Sequence, residues 1–68
     1  MNIYKDMHDE WKKKLIGLHI DEAKELIPHS KDVRWYTPHQ FLSMELQPER
    51  MNVCVSTTNN RIISVWFG

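Results

Sequence analysis

The stretch Phe41-Leu42-Ser43-Met44-Glu45-Leu46-Gln47-Pro48-Glu49-Arg50 runs directly into Met51-Asn52-Val53-Cys54-Val55-Ser56, and the two halves obey different rules. The first half begins apolar, ends polar and contains no glycine, which describes an extended segment displayed at a surface. From Arg50 to Ser56 polar and apolar residues alternate, the period-2 pattern of a half-buried strand. With Met51, Val53 and Val55 turned to a core, Arg50, Asn52 and Cys54 face the other way, because successive strand side chains point to opposite faces. That second face is the one available to the displayed segment. From it Arg50 can fork its donors back to acceptors near Ser43 and Glu45, fixing the segment through charge-assisted hydrogen bonds. A displayed segment with such a brace has the form of a binding loop.

Outward from this stretch the chain supplies a frame. Val33-Arg34-Trp35-Tyr36 alternates as an earlier strand with Val33 and Trp35 on one face. If the two strands pair in parallel, their connection must cross over, and residues 37–49 are long enough to do so as a wide exposed loop. Thr57-Thr58-Asn59-Asn60 is a turn cluster, and Ile62-Ile63-Ser64-Val65-Trp66-Phe67 a last strand returning antiparallel. Upstream, His19 to Ile27 carries Ile20, Ala23, Leu26 and Ile27 on one helical stripe. Asp21 and Glu22 suit the positive end of its dipole, and Pro28 stops it. His19 stands where a Ser or Asp cap is expected, so this helix looks under-capped. Trp11 and Leu15 share a face of a short helical turn, and Gly17 breaks it. Residues 1–10 show no period and read as a loose arm, leaving 11–68 as the domain.

The chain has 68 residues, enough for one domain with a small core. Cores of this size rarely contribute more than about 3–5 kcal/mol net. Cys54 is the only cysteine, so no intramolecular disulfide is available. Packing must suffice, and three tryptophans, two tyrosines and two phenylalanines supply large apolar area. Absence of disulfides leans toward a reducing, cytoplasmic compartment over a secreted one. Nine basic and nine acidic residues balance, and Lys12-Lys13-Lys14 reads as a solvated face, so neither nucleic acid nor a membrane surface is the expected partner. Met1 to Asp6 are too polar for a signal peptide, and no run approaches the roughly 20 apolar residues of a membrane span. His8, His19, His29 and His39 lack metal-ligand spacing, so no metal or cofactor is expected. Cys54, in an alternating strand, reads as a packing residue.

Taken together in order and spacing, Trp11, Leu15 and Gly17, then Glu22-Ala23-Lys24, Ser43-Met44-Glu45, Arg50 and Gly68 resemble the potato inhibitor I family of serine-protease inhibitors. The resemblance covers roughly residues 11–68. It implies an α+β fold: one helix packed on a small twisted mixed sheet, with an exposed extended loop between two parallel strands. It also implies that residues Phe41, Leu42, Ser43, Met44, Glu45, Leu46 and Gln47 form the protease-binding loop and that Met44–Glu45 is the reactive bond. Met44 would enter the specificity pocket, and Arg50 would brace Ser43 and Glu45. The position usual for a second bracing arginine is Asn52 here, so the expected loop brace is Arg50 with Asn52 as a shorter, uncharged and weaker partner. The connection after the helix is also shorter than is usual in the family, and the C-terminal segment lacks the customary proline.

The resemblance therefore implies an inhibitor, not an enzyme, whose partner is a serine protease of subtilisin or chymotrypsin type; a monomer is expected, with Cys54 leaving room for an oxidised dimer. The unbranched apolar Met44 suits subtilisin-like, chymotrypsin-like or some elastase-like pockets and not trypsin's acidic one. The alternative, favoured by Asn52 and the shorter connection, is a non-inhibitory interaction module of the same fold with a weakened loop.

Overall fold

The structure, a computed structural model, describes the backbone of residues 3–42 and 45–68 and the side chains of 8–42 and 45–68. Two helices, α1 (Ile3–Leu15) and α2 (Ile20–Leu26), precede three strands, β1 (Val33–Tyr36), β2 (Met51–Val55) and β3 (Ile62–Phe67). The strands form one mixed sheet in the order β1-β2-β3. β1 runs parallel to β2, with Val33 opposite Met51 and Tyr36 opposite Cys54. β3 returns antiparallel, with Met51 opposite Phe67 and a bulge between Cys54 and Val55. The α+β class and the parallel pair flanking a long crossover are as the sequence predicts. Two helices stand where one was expected.

The extra helix corrects the reading of the N-terminal residues: from Ile3 onward they are helical, and the short turn at Trp11 and Leu15 is the end of a longer element. Leu15 is fully buried, Trp11 packs partly buried against the core, and His8 stacks on Phe67 with ring centroids 3.7 Å apart. These residues are spaced by three and four, so they share a face, and that face lies against β3. Gly17 ends the helix at φ 93°, a conformation glycine adopts without steric cost, while its N–H donates to the Ile62 carbonyl at 2.9 Å.

α2 has the cap that its sequence seemed to lack. His19 adopts extended angles and its Nδ1 accepts from the Asp21 N–H at 3.2 Å, so an imidazole nitrogen replaces the usual side-chain oxygen. Ala23 and Ile27 are buried and Ile20 packs against the core. Leu26, expected on the same stripe, is 55% exposed. It lies about 100° around the helix from Ile27, which takes it off the face toward the sheet.

The core fills the space between the helices and one sheet face: Leu15, Ala23 and Ile27 meet Met51, Val53, Val55, Ile62 and Val65, with Val33, Trp35 and Phe67 at its margin. Alternation predicts the apolar side of β2 correctly, but all five residues of that strand are buried. Asn52 and Cys54 face away from the helices and still escape solvent, because β2 is central and side chains from its neighbours close over them. Cys54 is a free, buried thiol. Among the described residues no helix is long and apolar enough to cross a membrane.

Candidate functional site

Two proline turns bracket the crossover between β1 and β2. Thr37-Pro38-His39-Gln40 closes with the Gln40 N–H on the Thr37 carbonyl at 3.1 Å, and the Gln40 side-chain oxygen returns to the Thr37 N–H at 3.1 Å. Gln47-Pro48-Glu49-Arg50 closes in the same way, the Arg50 N–H donating to the Gln47 carbonyl at 2.9 Å. Both place proline second in a four-residue turn, where its fixed φ is already correct. The outer limbs of the loop are therefore anchored by local chemistry.

Between the two turns Phe41 is 101% exposed and Leu46 83%. Glu45 and Gln47 are exposed as well, while Leu42 is half-buried. Two large apolar side chains on one loop thus stand in water, which makes the loop a candidate contact surface. Ser43 and Met44, the residues expected at the centre of the loop, lie outside the described residues.

Beneath the loop is a buried polar network. The Arg50 guanidinium, in a residue only 7% exposed, donates from Nη2 to the Glu45 carbonyl oxygen at 3.0 Å and from Nε to the Gly68 carbonyl oxygen at 3.1 Å. Its Nη1 lies 3.5 Å from the Glu45 carboxylate, whose side chain is largely in water. Arg50 thus reaches Glu45 chiefly through the backbone. That contact positions the chain itself, and it does not depend on which side chain occupies position 45. The Gly68 N–H donates back to the Arg50 carbonyl at 3.1 Å, tying the end of β3 to the start of β2.

Asn52, fully buried, makes its contacts away from the loop. Its Nδ2 donates to the Gly68 carbonyl at 3.0 Å, with the Trp66 carbonyl at 3.4 Å, and its Oδ1 accepts from Arg34 Nε at 2.8 Å. A Cβ at Gly68 would stand 3.0 Å from the Trp66 ring, a tight contact that the ring would have to yield to. Trp66 in turn donates from Nε1 to the Tyr36 hydroxyl at 2.8 Å, which joins β1 to β3 across the face of β2. No buried side-chain nitrogen or oxygen among the described residues lacks a partner. A satisfied buried network of this kind rigidifies what it holds.

Sequence reading singled out residues 41–47, Arg50 and Asn52, with Asn52 as a weaker brace of the loop; the shortest side-chain bonds of Asn52 run instead to Arg34, Trp66 and Gly68. It missed Arg34, the Tyr36–Trp66 bond and the first proline turn. The Thr-Pro-His-Gln tetrad carried a turn signal in plain view. Arg34 could be linked to Asn52 only once the parallel register was known.

No protein-family model matches the chain, and no curated protein matches it. Among solved structures it is similar to the elastase inhibitor AFUEI in its second crystal form, with 28% sequence identity, a TM-score of 0.71, and coverage of 94% of this chain and 93% of that one. The chain thus shares the fold of a solved protease inhibitor over nearly its whole length.

Proposed function

We propose that the protein inhibits serine proteases by presenting residues 41–47 to the active site as a substrate would be presented, with Met44–Glu45 as the bond offered for cleavage. One observation carries the reading: an exposed, apolar-flanked loop is fastened at its exit by a buried arginine bonded to the Glu45 main chain. The fold shared with an elastase inhibitor supports it. The assignment of Met44 to the specificity pocket rests on the resemblance to the potato inhibitor I family.

The chemistry follows from order. Fixing a flexible loop costs about 0.5–1.5 kcal/mol per immobilised side chain, so a loop already held binds more tightly than a peptide of the same sequence. Its extended backbone adds as a strand to the enzyme's edge while Met44 fills the pocket. If the protease acylates at Met44, the new amine of Glu45 stays close to the acyl-enzyme, because Arg50 holds the Glu45 carbonyl. Resealing then competes with hydrolysis through high effective concentration. Arg50 takes no part in bond making.

Steady-state inhibition of elastase, chymotrypsin, subtilisin and trypsin tests the reading. Tight inhibition of at least one enzyme with an apolar pocket is expected, and trypsin should be spared. Absence of inhibition across the panel, with rapid cutting at Met44–Glu45, would make the chain an interaction module that has lost this activity.

A further inference from the structure

We propose that Arg34 is the second brace of the loop, carried on β1 instead of β2 and set in place by Asn52. The proposal rests on the inhibitor reading and names a positioning residue for it. Arg34 stands opposite Asn52 in the parallel register, and strand alternation puts both on the sheet face that bears Arg50. The Arg34 Nε–H donates to Asn52 Oδ1 at 2.8 Å. That acceptor cannot be turned away. The Asn52 amide nitrogen is occupied by the carbonyls of Gly68 at 3.0 Å and Trp66 at 3.4 Å, and a flipped carboxamide would set donor against donor and oxygen against oxygen.

The guanidinium is a rigid planar fork of five N–H donors, so anchoring Nε fixes the direction of both Nη groups. The Gly68 carbonyl accepts from Arg50 Nε at 3.1 Å and from Asn52 Nδ2 at 3.0 Å. One continuous path therefore runs from Glu45 through Arg50, Gly68 and Asn52 to Arg34. Arg50 holds the limb that leaves the reactive bond. Arg34 belongs to the strand that feeds the loop and serves the limb ahead of that bond. The pairing also accounts for a neutral residue at position 52: an arginine there would sit in a fully buried place directly across from Arg34, and like charges in that relation repel.

The test compares Arg34→Met and Arg34→Lys with the wild-type chain in three readouts: the rate of nicking at Met44–Glu45 by catalytic amounts of an inhibited protease, backbone heteronuclear NOEs of Leu42, Leu46 and Gln47, and thermal unfolding. Loss of a hydrogen bond from a charged donor predicts about 10- to 100-fold faster nicking for Arg34→Met. The NOEs should fall first at Leu42, and Arg34→Lys should recover part of both losses. The proposal is overturned if Arg34→Met lowers the melting temperature while nicking and NOEs match wild type, for Arg34 is then only a sheet residue. If wild type inhibits none of the proteases, the inhibitor reading fails by itself, and the NOEs still decide whether Arg34 orders the loop.

Discussion

Replacing Arg50 by Met removes the fork while keeping an unbranched apolar chain in the buried volume, and the geometry says how the loss divides. Two of the three contacts are well formed, to the Glu45 carbonyl at 3.0 Å and the Gly68 carbonyl at 3.1 Å. The third, at 3.5 Å to a carboxylate whose side chain is 60% exposed, contributes little, as exposed ion pairs generally do. Hydrogen bonds from a charged donor are worth about 1.5–3 kcal/mol each. The Gly68 oxygen retains Asn52 Nδ2 as a donor, so the low end applies there. About 1.5 kcal/mol of global stability should go with that bond, a fall of roughly 6–12 °C in melting temperature for a domain of this size. The Glu45 bond orders an exposed loop, and its loss appears in binding: about 1.5 kcal/mol, or roughly tenfold in the inhibition constant, with faster nicking at Met44–Glu45. Differential scanning calorimetry and inhibition assays below the melting point separate the two effects. A lowered melting temperature with unchanged inhibition and nicking would mean that the loop owes its order to something other than Arg50.

Other substitutions test neighbouring steps. Met44→Lys should move the inhibitory preference toward trypsin in the same enzyme panel, and no shift would count against Met44 as the specificity residue. Leu15→Ala empties a fully buried site and should cost about 2–5 kcal/mol. That is comparable with the whole margin of a core this small, so urea titration should show a largely unfolded population. His19→Ala removes the cap of α2 and should cost about 1 kcal/mol, read as a fall of about 4–8 °C in melting temperature, while His19→Asn, which keeps an acceptor, should restore most of it.

Strand positions were legible because β1 and β2 alternate and β3 is a run of β-branched and aromatic residues after a turn cluster, and the long polar-ended insertion between β1 and β2 marked the crossover. Polarity was a poor guide to exposure on the other face of β2. Asn52 reads as a surface residue in any hydropathy pattern, yet it is fully buried because backbone carbonyls of β3 and the Arg34 guanidinium satisfy it. α1 was hidden for a related reason. Ile3, Met7, Trp11 and Leu15 recur at steps of four, so a helical stripe stood in the sequence, but charged residues crowd the positions between them, and hydropathy does not count His8 as apolar although its ring stacks on Phe67. His19 was misjudged because an imidazole acceptor does the work of a hydroxyl or carboxylate. In the candidate site, Arg50 was legible from its place at the start of an alternating strand. Arg34 was not, since its role depends on a register between residues 18 apart in sequence.

A mass-spectrometric time course of the chain with catalytic protease decides whether the braced loop is an inhibitor or a substrate. An inhibitor loop leaves the chain mostly intact for hours, or at a stable mixture of intact chain and one product nicked at Met44–Glu45, approached from either side. Rapid, complete cleavage at that bond without inhibition would contradict the inhibitor reading.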